Sequence, residues 1–292
     1  MIICQILGGL GNQMFQYATG RALSLTLGCP LLLDLRGFER YVLHNGFEIN
    51  RVFYAPVQAA TEADVSQVLG WRASELIRKL FKKVHSPLLH GSGLIIEPHF
   101  NYWPKLRDID RPSYLMGYWQ SEKYFEDFEQ IIRTDFSFKE ELNGENLETC
   151  GRMQDCNSVS LHVRRGDYVT NALTSKVLTV CPIDYYRNAI MYIAERVASP
   201  RFFVFSDDMN WVRDNLKIPF PAEYIDRNRG TRSYIDMQLM SLCGHQIIAN
   251  SSFSWWGAWL NQRPGKVIVA PRNWFCNGIN DCDLTPKHWT RI

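Results

Sequence analysis

The sequence predicts an α/β protein built on parallel sheets, in two Rossmann-like halves joined near residue 150. Three observations carry this. The chain opens as strand, glycine turn, helix, strand. From residue 159 onward, short apolar runs alternate with helical patterns. Those runs are apolar on both faces, as in strands covered by helices on two sides. The 292 residues, 46% hydrophobic and 21% charged, suffice for one large domain or two ordinary ones.

In the first half, IICQIL (2–7) reads as a buried strand and NQMFQYATGRALSLTLG (12–28) as a helix closed by Gly28. PLLLDL (30–35) is the second strand. Residues 61–83 read as a helix, with Thr61 and Asp64 at capping-box spacing. Residues 121–133 read as another. The stretch 84–120, rich in Pro, Gly, His and aromatics, takes no assignment, and the polar stretch 139–157 reads as the linker. In the second half, VSLHV (159–163) is a strand. Residues 182–198 form a helix whose stripe is Ile183, Tyr186, Ile190, Ile193 and Val197. RFFVF (201–205) is a strand, and RSYIDMQLMSLCG (232–244) a helix stopped by Gly244. QIIAN (246–250) is a strand, SSFSWWGAWL (251–260) a helix, and KVIVA (266–270) the last strand, ended by Pro271.

The formal net charge is +2, with no basic stripe or tail, which argues against nucleic acid as a partner. The N-terminus lacks the basic and apolar regions of a signal peptide, and no apolar run approaches the roughly 20 residues of a membrane span. The expectation is a cytoplasmic protein whose contact with membranes is at most peripheral. The eight scattered cysteines form no C-x-x-C pair and read as reduced, mostly buried thiols. Asp108-Ile-Asp110 and Asp281-Cys-Asp283 have the form of a metal–nucleotide motif, but such pairs arise by chance among 30 acidic residues. No metal site is expected.

In open α/β sheets ligands bind beyond the carboxyl ends of the strands. Three successive strands of the second half end in polar clusters: HVRRGD, FSDD and ANSSFS. Strand alternation puts Arg164 on the face of His162 and Arg165 on the other. One arginine can then hold a ligand while the other pairs with an acid such as Asp167. A guanidinium fork suits phosphate, although a structural ion pair explains the stretch equally well. Asn250, Ser251, Ser252, Phe253 and Ser254 form a strand-to-helix junction, whose amides and hydroxyls suit an anion or simply cap the helix. Ser206, Asp207 and Asp208 bring carboxylates beside that anion site, suited to guanine, ribose, a metal or a helix cap. In the first half Gly11, Asn12 and Gln13 belong to GGLGNQ, a close-approach loop that is neither a dinucleotide fingerprint nor a P-loop. Packing against the sheet explains Trp255, Trp256 and Trp259. Trp119 in GYWQSEKYF, and Trp71 or Trp103, are better suited to an acceptor cleft.

GGLGNQMFQYATGRALS, GYWQSEKYF, LHVRRGDYV, FFVFSDDMNW and IIANSSFSWWGAWL, in that order, resemble the bacterial α-1,2-fucosyltransferases of glycosyltransferase family 11. The resemblance runs nearly end to end. It implies a GT-B fold, two Rossmann-like domains facing across a cleft, with residues 1–150 on the acceptor side and 151–292 holding the nucleotide sugar. It implies inverting transfer of L-fucose from GDP-β-L-fucose to the 2-hydroxyl of a terminal galactose in an oligosaccharide, without a cofactor or divalent metal. His162, Arg164, Arg165 and Asp167 become its H-x-R-R-x-D motif, with Arg164 on the pyrophosphate. Asp207 would meet guanosine, Ser251, Ser252 and Phe253 would frame the phosphates, and Gly11, Asn12 and Gln13 would reach the donor from the first domain. No general base is identified: Asp167, paired with an arginine, would be a poor one, and His162 suits better by pKa but serves equally well as a bond to the sheet backbone. Another linkage, another GDP-sugar, or a non-catalytic glycan-binding protein are the alternatives.

Overall fold

A computed structural model describes residues 1–40, 45–73, 93–170, 180–275 and 278–292. The chain forms two compact units: Met1–Lys139 with Cys282–Leu284, and Glu140–Asp281 with Thr285–Ile292. The division therefore falls at 139/140 rather than near 150, and the chain returns to the first unit close to its end.

The first unit holds a four-stranded parallel sheet in the order β2-β1-β4-β3. Its strands are β1 (Ile2–Gln5), β2 (Leu31–Asp34), β3 (Leu94–Ile96) and β4 (Ser113–Met116). Helix α1 (Leu10–Thr26) follows β1, and the short α2 (Ile49–Val52) follows β2. Helix α3 (Glu62–Leu69) carries the expected capping box: the Thr61 hydroxyl accepts from the Asp64 amide, and the Asp64 carboxylate accepts from the Thr61 amide. It ends at Gly70, short of residue 83, and residues 74–83 lie outside the described residues. The helix expected over 121–133 is instead two 3₁₀ turns, Glu122–Tyr124 and Glu126–Phe128, followed by α4 (Glu129–Asp135). Phe125 interrupts it: its ring is fully buried, 6.3 Å from that of Phe15, and its backbone leaves the helical region at φ −136°, ψ 9°.

The second unit holds a six-stranded parallel sheet in the order β10-β9-β8-β5-β6-β7. The strands are β5 (Asn157–Val163), β6 (Pro200–Ser206), β7 (Ala222–Ile225), β8 (His245–Ile247), β9 (Ile268–Ala270) and β10 (Thr290–Arg291). The segment read as a linker contains helix α5 (Gly144–Gln154), whose buried side is Asn146, Thr149, Cys150 and Met153. Half of that face is polar, so hydrophobic periodicity does not reveal it. After β5 come α6 (Gly166–Thr170) and α7 (Ile183–Ala194), and after β6 comes α8 (Met209–Asn215). Helices α9 (Tyr234–Leu242) and α10 (Ser252–Leu260) flank β8. KVIVA is not the last strand: β10, only two residues long, adds beside β9.

The predicted stripe of α7 packs on Val159, Leu161, Val163, Phe202, Val204, Ile247 and Val269. Trp255 and Trp256 are fully buried and Trp259 nearly so, with Trp255 stacked on Trp259 and tilted against Trp289. These tryptophans are core, as expected. Among the described residues the cysteines are free thiols.

Polar residues also hold this unit together. Asn228 donates to Asp236 Oδ1 (2.7 Å) and to Asn146 Oδ1 (3.1 Å), and Arg227 Nε donates to the same Asn146 oxygen (2.9 Å). Burial pushes the Asp236 carboxyl up to about 7, against the opposing effects of the Asn228 bond and Arg227. An acid raised in the fold costs nothing below its unfolded value near 4 and its full penalty above about 7. Asp236→Asn keeps an oxygen for Asn228 and removes the charge. It should therefore raise the melting temperature at pH 8, by the equivalent of about 1–3 kcal/mol, with the gain vanishing near pH 4. Thermal melts of both proteins across that range check the sign.

Candidate active site

Strands β5 and β6 are parallel neighbours, with Val163 opposite Ser206. The residues just beyond them therefore lie side by side. There Asp207 reaches across to the Arg164–Gly166 turn: Oδ1 accepts from the Arg165 amide (2.9 Å), and Oδ2 accepts from the Gly166 amide (3.0 Å) and pairs with Arg164 Nε (3.1 Å). One carboxylate thus fixes both backbone and guanidinium. The glycine is a steric requirement, since a Cβ on Gly166 would lie 2.6 Å from Asp207 Oδ2. That requirement is invisible in the sequence, because it depends on the neighbouring strand.

The expectation that one arginine faces a ligand and the other an acid resolves differently: both are paired. Arg165 Nε donates to Asp208 Oδ2 (3.3 Å), and its guanidinium lies 3.8 Å from the Trp211 ring centroid. Asp208 also caps α8, accepting from the Trp211 amide, and its own amide donates to Ser206 Oγ. Arg165, Ser206 and Asp208 are thereby tied to one another beside the Arg164 turn. Asp167 lies in α6, and its side chain is outside the described residues.

Arg164 leads to the third cluster. Its guanidinium carbon is 5.7 Å from the Tyr168 ring centroid, and the Tyr168 hydroxyl donates to the Asn250 carbonyl (2.8 Å). This connects the ends of β5 and β8. The buried Asn250 side chain donates to the Trp274 carbonyl and accepts from the Cys181 thiol. Ser251 is the N-cap residue of α10 without a side-chain bond to the helix, and Ser252 and Phe253 form its first turn. The amides of such a turn have no partner within the helix.

His162 sits on β5, 5% exposed, with its ring centroid 6.0 Å from that of Phe253. Among the described residues its Nδ1 has no hydrogen-bond partner. Burial pushes its pKa down to about 4, with Asp207 pulling it up and Arg164 down. The imidazole is neutral at physiological pH, and a conjugate acid this strong makes a weak base. A buried orphan nitrogen beside an arginine is instead suited to a ligand's hydrogen bond.

In the first unit the expected close-approach loop is the start of a helix. Gly11, Asn12 and Gln13 already belong to α1, and the amides of Asn12 and Gln13 both donate to the Gly9 carbonyl. The Gln13 side chain is fully buried, donates to the Gly8 and Gly46 carbonyls, and accepts from the Glu48 amide. Its two N–H groups serve the fold. The Asn12 side chain accepts from Gln120 (2.8 Å). Trp119 is 1% exposed, so its ring offers no open face to a sugar, whereas Trp103 is partly exposed; the Trp71 side chain lies outside the described residues. Of the D-x-D pairs, Asp281 binds Arg291, and Asp283 binds Lys123 and the Tyr102 amide. Among the described residues no group of three or more His, Cys, Asp or Glu is arranged to hold a metal ion.

The description of glycosyl transferase family 11 matches residues 105–291, which include the whole arginine turn, Asp207 and the start of α10. The chain belongs to glycosyl transferase family 11. The family 11 chain is 35% identical over 295 residues to an Escherichia coli α-1,2-colitosyltransferase, spanning 100% of this chain and 99% of the relative. It is 26% identical to galactoside α-(1,2)-fucosyltransferase 1 of Leontocebus fuscicollis over 87% of this chain and 63% of that one. Its α/β fold of parallel sheets, the GT-B class expected, is shared with the NodZ α-1,6-fucosyltransferase solved with GDP-fucose, at a TM-score of 0.50 and 15% identity over 89% and 92% of the two chains. No helix among the described residues is long and apolar enough to cross a membrane.

Proposed function

We propose that this family 11 member is an inverting α-1,2-fucosyltransferase, moving L-fucose from GDP-β-L-fucose to the 2-hydroxyl of a terminal galactose. The observation that carries the reading is the Asp207-braced Arg164 turn, linked through Tyr168 and Asn250 to the start of α10. As the fucosyl–oxygen bond breaks, the electron pair and negative charge pass to the β-phosphate while cationic character grows at the sugar carbon. Arg164 and the α10 amides stabilise that leaving group, and they do so as fixed charges, without a divalent metal or other cofactor. Asp207 acts here as the brace that aims Arg164, and the one lone pair left on Oδ1 meets the guanosine. His162 Nδ1 offers a hydrogen-bonding site to the donor. The acceptor is a galactose-terminated oligosaccharide, the reaction takes place in the cytoplasm, and the name of the L. fuscicollis relative supports a galactoside.

A second reading has a specific observation behind it. The E. coli relative, matched end to end, is named for colitose rather than fucose, so the donor could be the corresponding GDP-colitose. Calorimetric titration of GDP, UDP and ADP into metal-free protein, with and without Arg164→Ala, tests the pocket. GDP-selective binding that the variant loses is the expected result. Equal binding of the three, or none, overturns the guanine-nucleotide reading. Competition between GDP-fucose and GDP-colitose, with the linkage of the product read by NMR, then separates the donors.

A further inference from the structure

The first unit carries a polar and aromatic surface around the GYWQSEKYF stretch, where sequence patterns assign no role to Glu97 or Phe100. Strands β3 and β4 are parallel, with Ile96 opposite Met116, so Glu97 and Gly117 adjoin just beyond their carboxyl ends. Glu97 Oε2 accepts from the Tyr118 amide (2.7 Å) and Oε1 from the Trp119 amide (2.9 Å). A Cβ on Gly117 would lie 2.4 Å from the Glu97 Cβ, so that position too must be glycine. Trp119 is held at φ +55°, a left-handed conformation rare for a large side chain and concentrated at functional sites. The two loops interlock further: Phe100 stacks on Tyr118 (6.1 Å, 12°), Tyr102 tilts on Tyr124, and the Trp103 amide donates to the Tyr124 hydroxyl. Gln120 ties this surface to Asn12, and Gln16 ties Gly117 to Leu7.

Among the described residues no cation pairs with Glu97, and the ionisable groups that feel its charge are the phenols of Tyr118 and Tyr124. A partly buried carboxylate without a cation, aimed by two amides and keeping a second lone pair on each oxygen, accepts hydrogen bonds from hydroxyl groups. A partly exposed aromatic pair beside it offers an apolar face to sugar C–H groups. Together these are the chemistry of carbohydrate recognition.

We propose that Glu97, with Phe100 and Tyr118, forms the acceptor-glycan subsite of the first unit, Glu97 accepting hydrogen bonds from the sugar hydroxyls and so selecting the acceptor. This rests on the reading above that the acceptor is a glycan. Burial pushes the Glu97 carboxyl up to about 7, against the two amide bonds. As pH falls through that value the carboxylate takes a proton and loses acceptor capacity, so the acceptor is held less tightly on the acid side.

The test uses lactose and a set of longer galactose-terminated oligosaccharides, with the full chain. Glu97→Gln should raise acceptor KM about tenfold or more, with kcat changed little and GDP affinity unchanged. The rise of acceptor KM below pH 7 in the wild type should flatten in this variant. Phe100→Ala should raise acceptor KM while retaining the pH dependence. Unchanged acceptor KM and pH profile in Glu97→Gln overturn the subsite. So does a parallel loss of GDP binding and melting temperature, the mark of a purely structural role. Direct calorimetry of the same glycans separates this inference from the transfer reaction. If the wild type binds glycan and Glu97→Gln does not, the subsite stands even where transfer from GDP-fucose fails. If no glycan binds, the subsite falls whatever the donor result.

Discussion

Arg164→Lys should lower turnover about 10²–10³-fold, roughly 3–4 kcal/mol of lost transition-state stabilisation. Arginine uses its Nε to pair with Asp207 at 3.1 Å, which leaves the ends of the same planar fork oriented by that pair. Lysine has one ammonium group, so engaging the brace and the β-phosphate together is beyond its geometry. The loss should appear in kcat more than in KM for the donor, because the charge it meets is largest in the transition state. Steady-state kinetics with GDP-fucose and a galactoside would show this. Near-native turnover in the lysine variant would take Arg164 out of the leaving-group role.

Gly166→Ala is expected to be nearly as damaging, though the added methyl is far smaller than the groups it disturbs. The new Cβ would lie 2.6 Å from Asp207 Oδ2 and 3.1 Å from its Cγ. The carboxylate is the flexible partner, but it is held by two amides and a guanidinium. Moving it releases all three contacts. Bonds to a charged group are worth about 1.5–3 kcal/mol each, so losing one predicts GDP binding weakened roughly 10–10²-fold. A double-mutant cycle isolates the mechanism. In an Asp207→Ala background, Gly166→Ala should cost little more, because the atom it collides with is gone. Strict additivity of the two effects would show that the glycine matters for some other reason.

The sequence made the polar strand ends legible because strand alternation and strand-to-helix junctions are local patterns. His162, Arg164, Asp207 and Asn250 could be placed at one edge of a sheet from those patterns alone. Their pairing could not. Asp207 bracing the turn of Arg164 depends on β5 and β6 being neighbours, and strand order is a property of the whole chain. Helix α5 was missed because its buried face is Asn146 and Thr149 as much as Cys150 and Met153. The partners of the Gln13 side chain were not legible either, because Gly46 and Glu48 lie more than 30 residues away and leave no local pattern. Glu97 was overlooked because its partners are backbone amides about 20 residues away, which leave no side-chain motif behind.

The short return of Cys282–Leu284 to the first unit has a consequence for how this protein is made. Ser121 Oγ donates to the Asp283 carbonyl, and Lys123 and the Tyr102 amide bind its carboxylate. These partners emerge from the ribosome 160 to 181 residues before Asp283 does. During synthesis the N-terminal unit must wait, incompletely latched, until residues 282–284 have been translated. For the same reason no single cut yields both units intact: a fragment ending at Lys139 lacks its latch, and the complementary piece carries three residues that belong elsewhere.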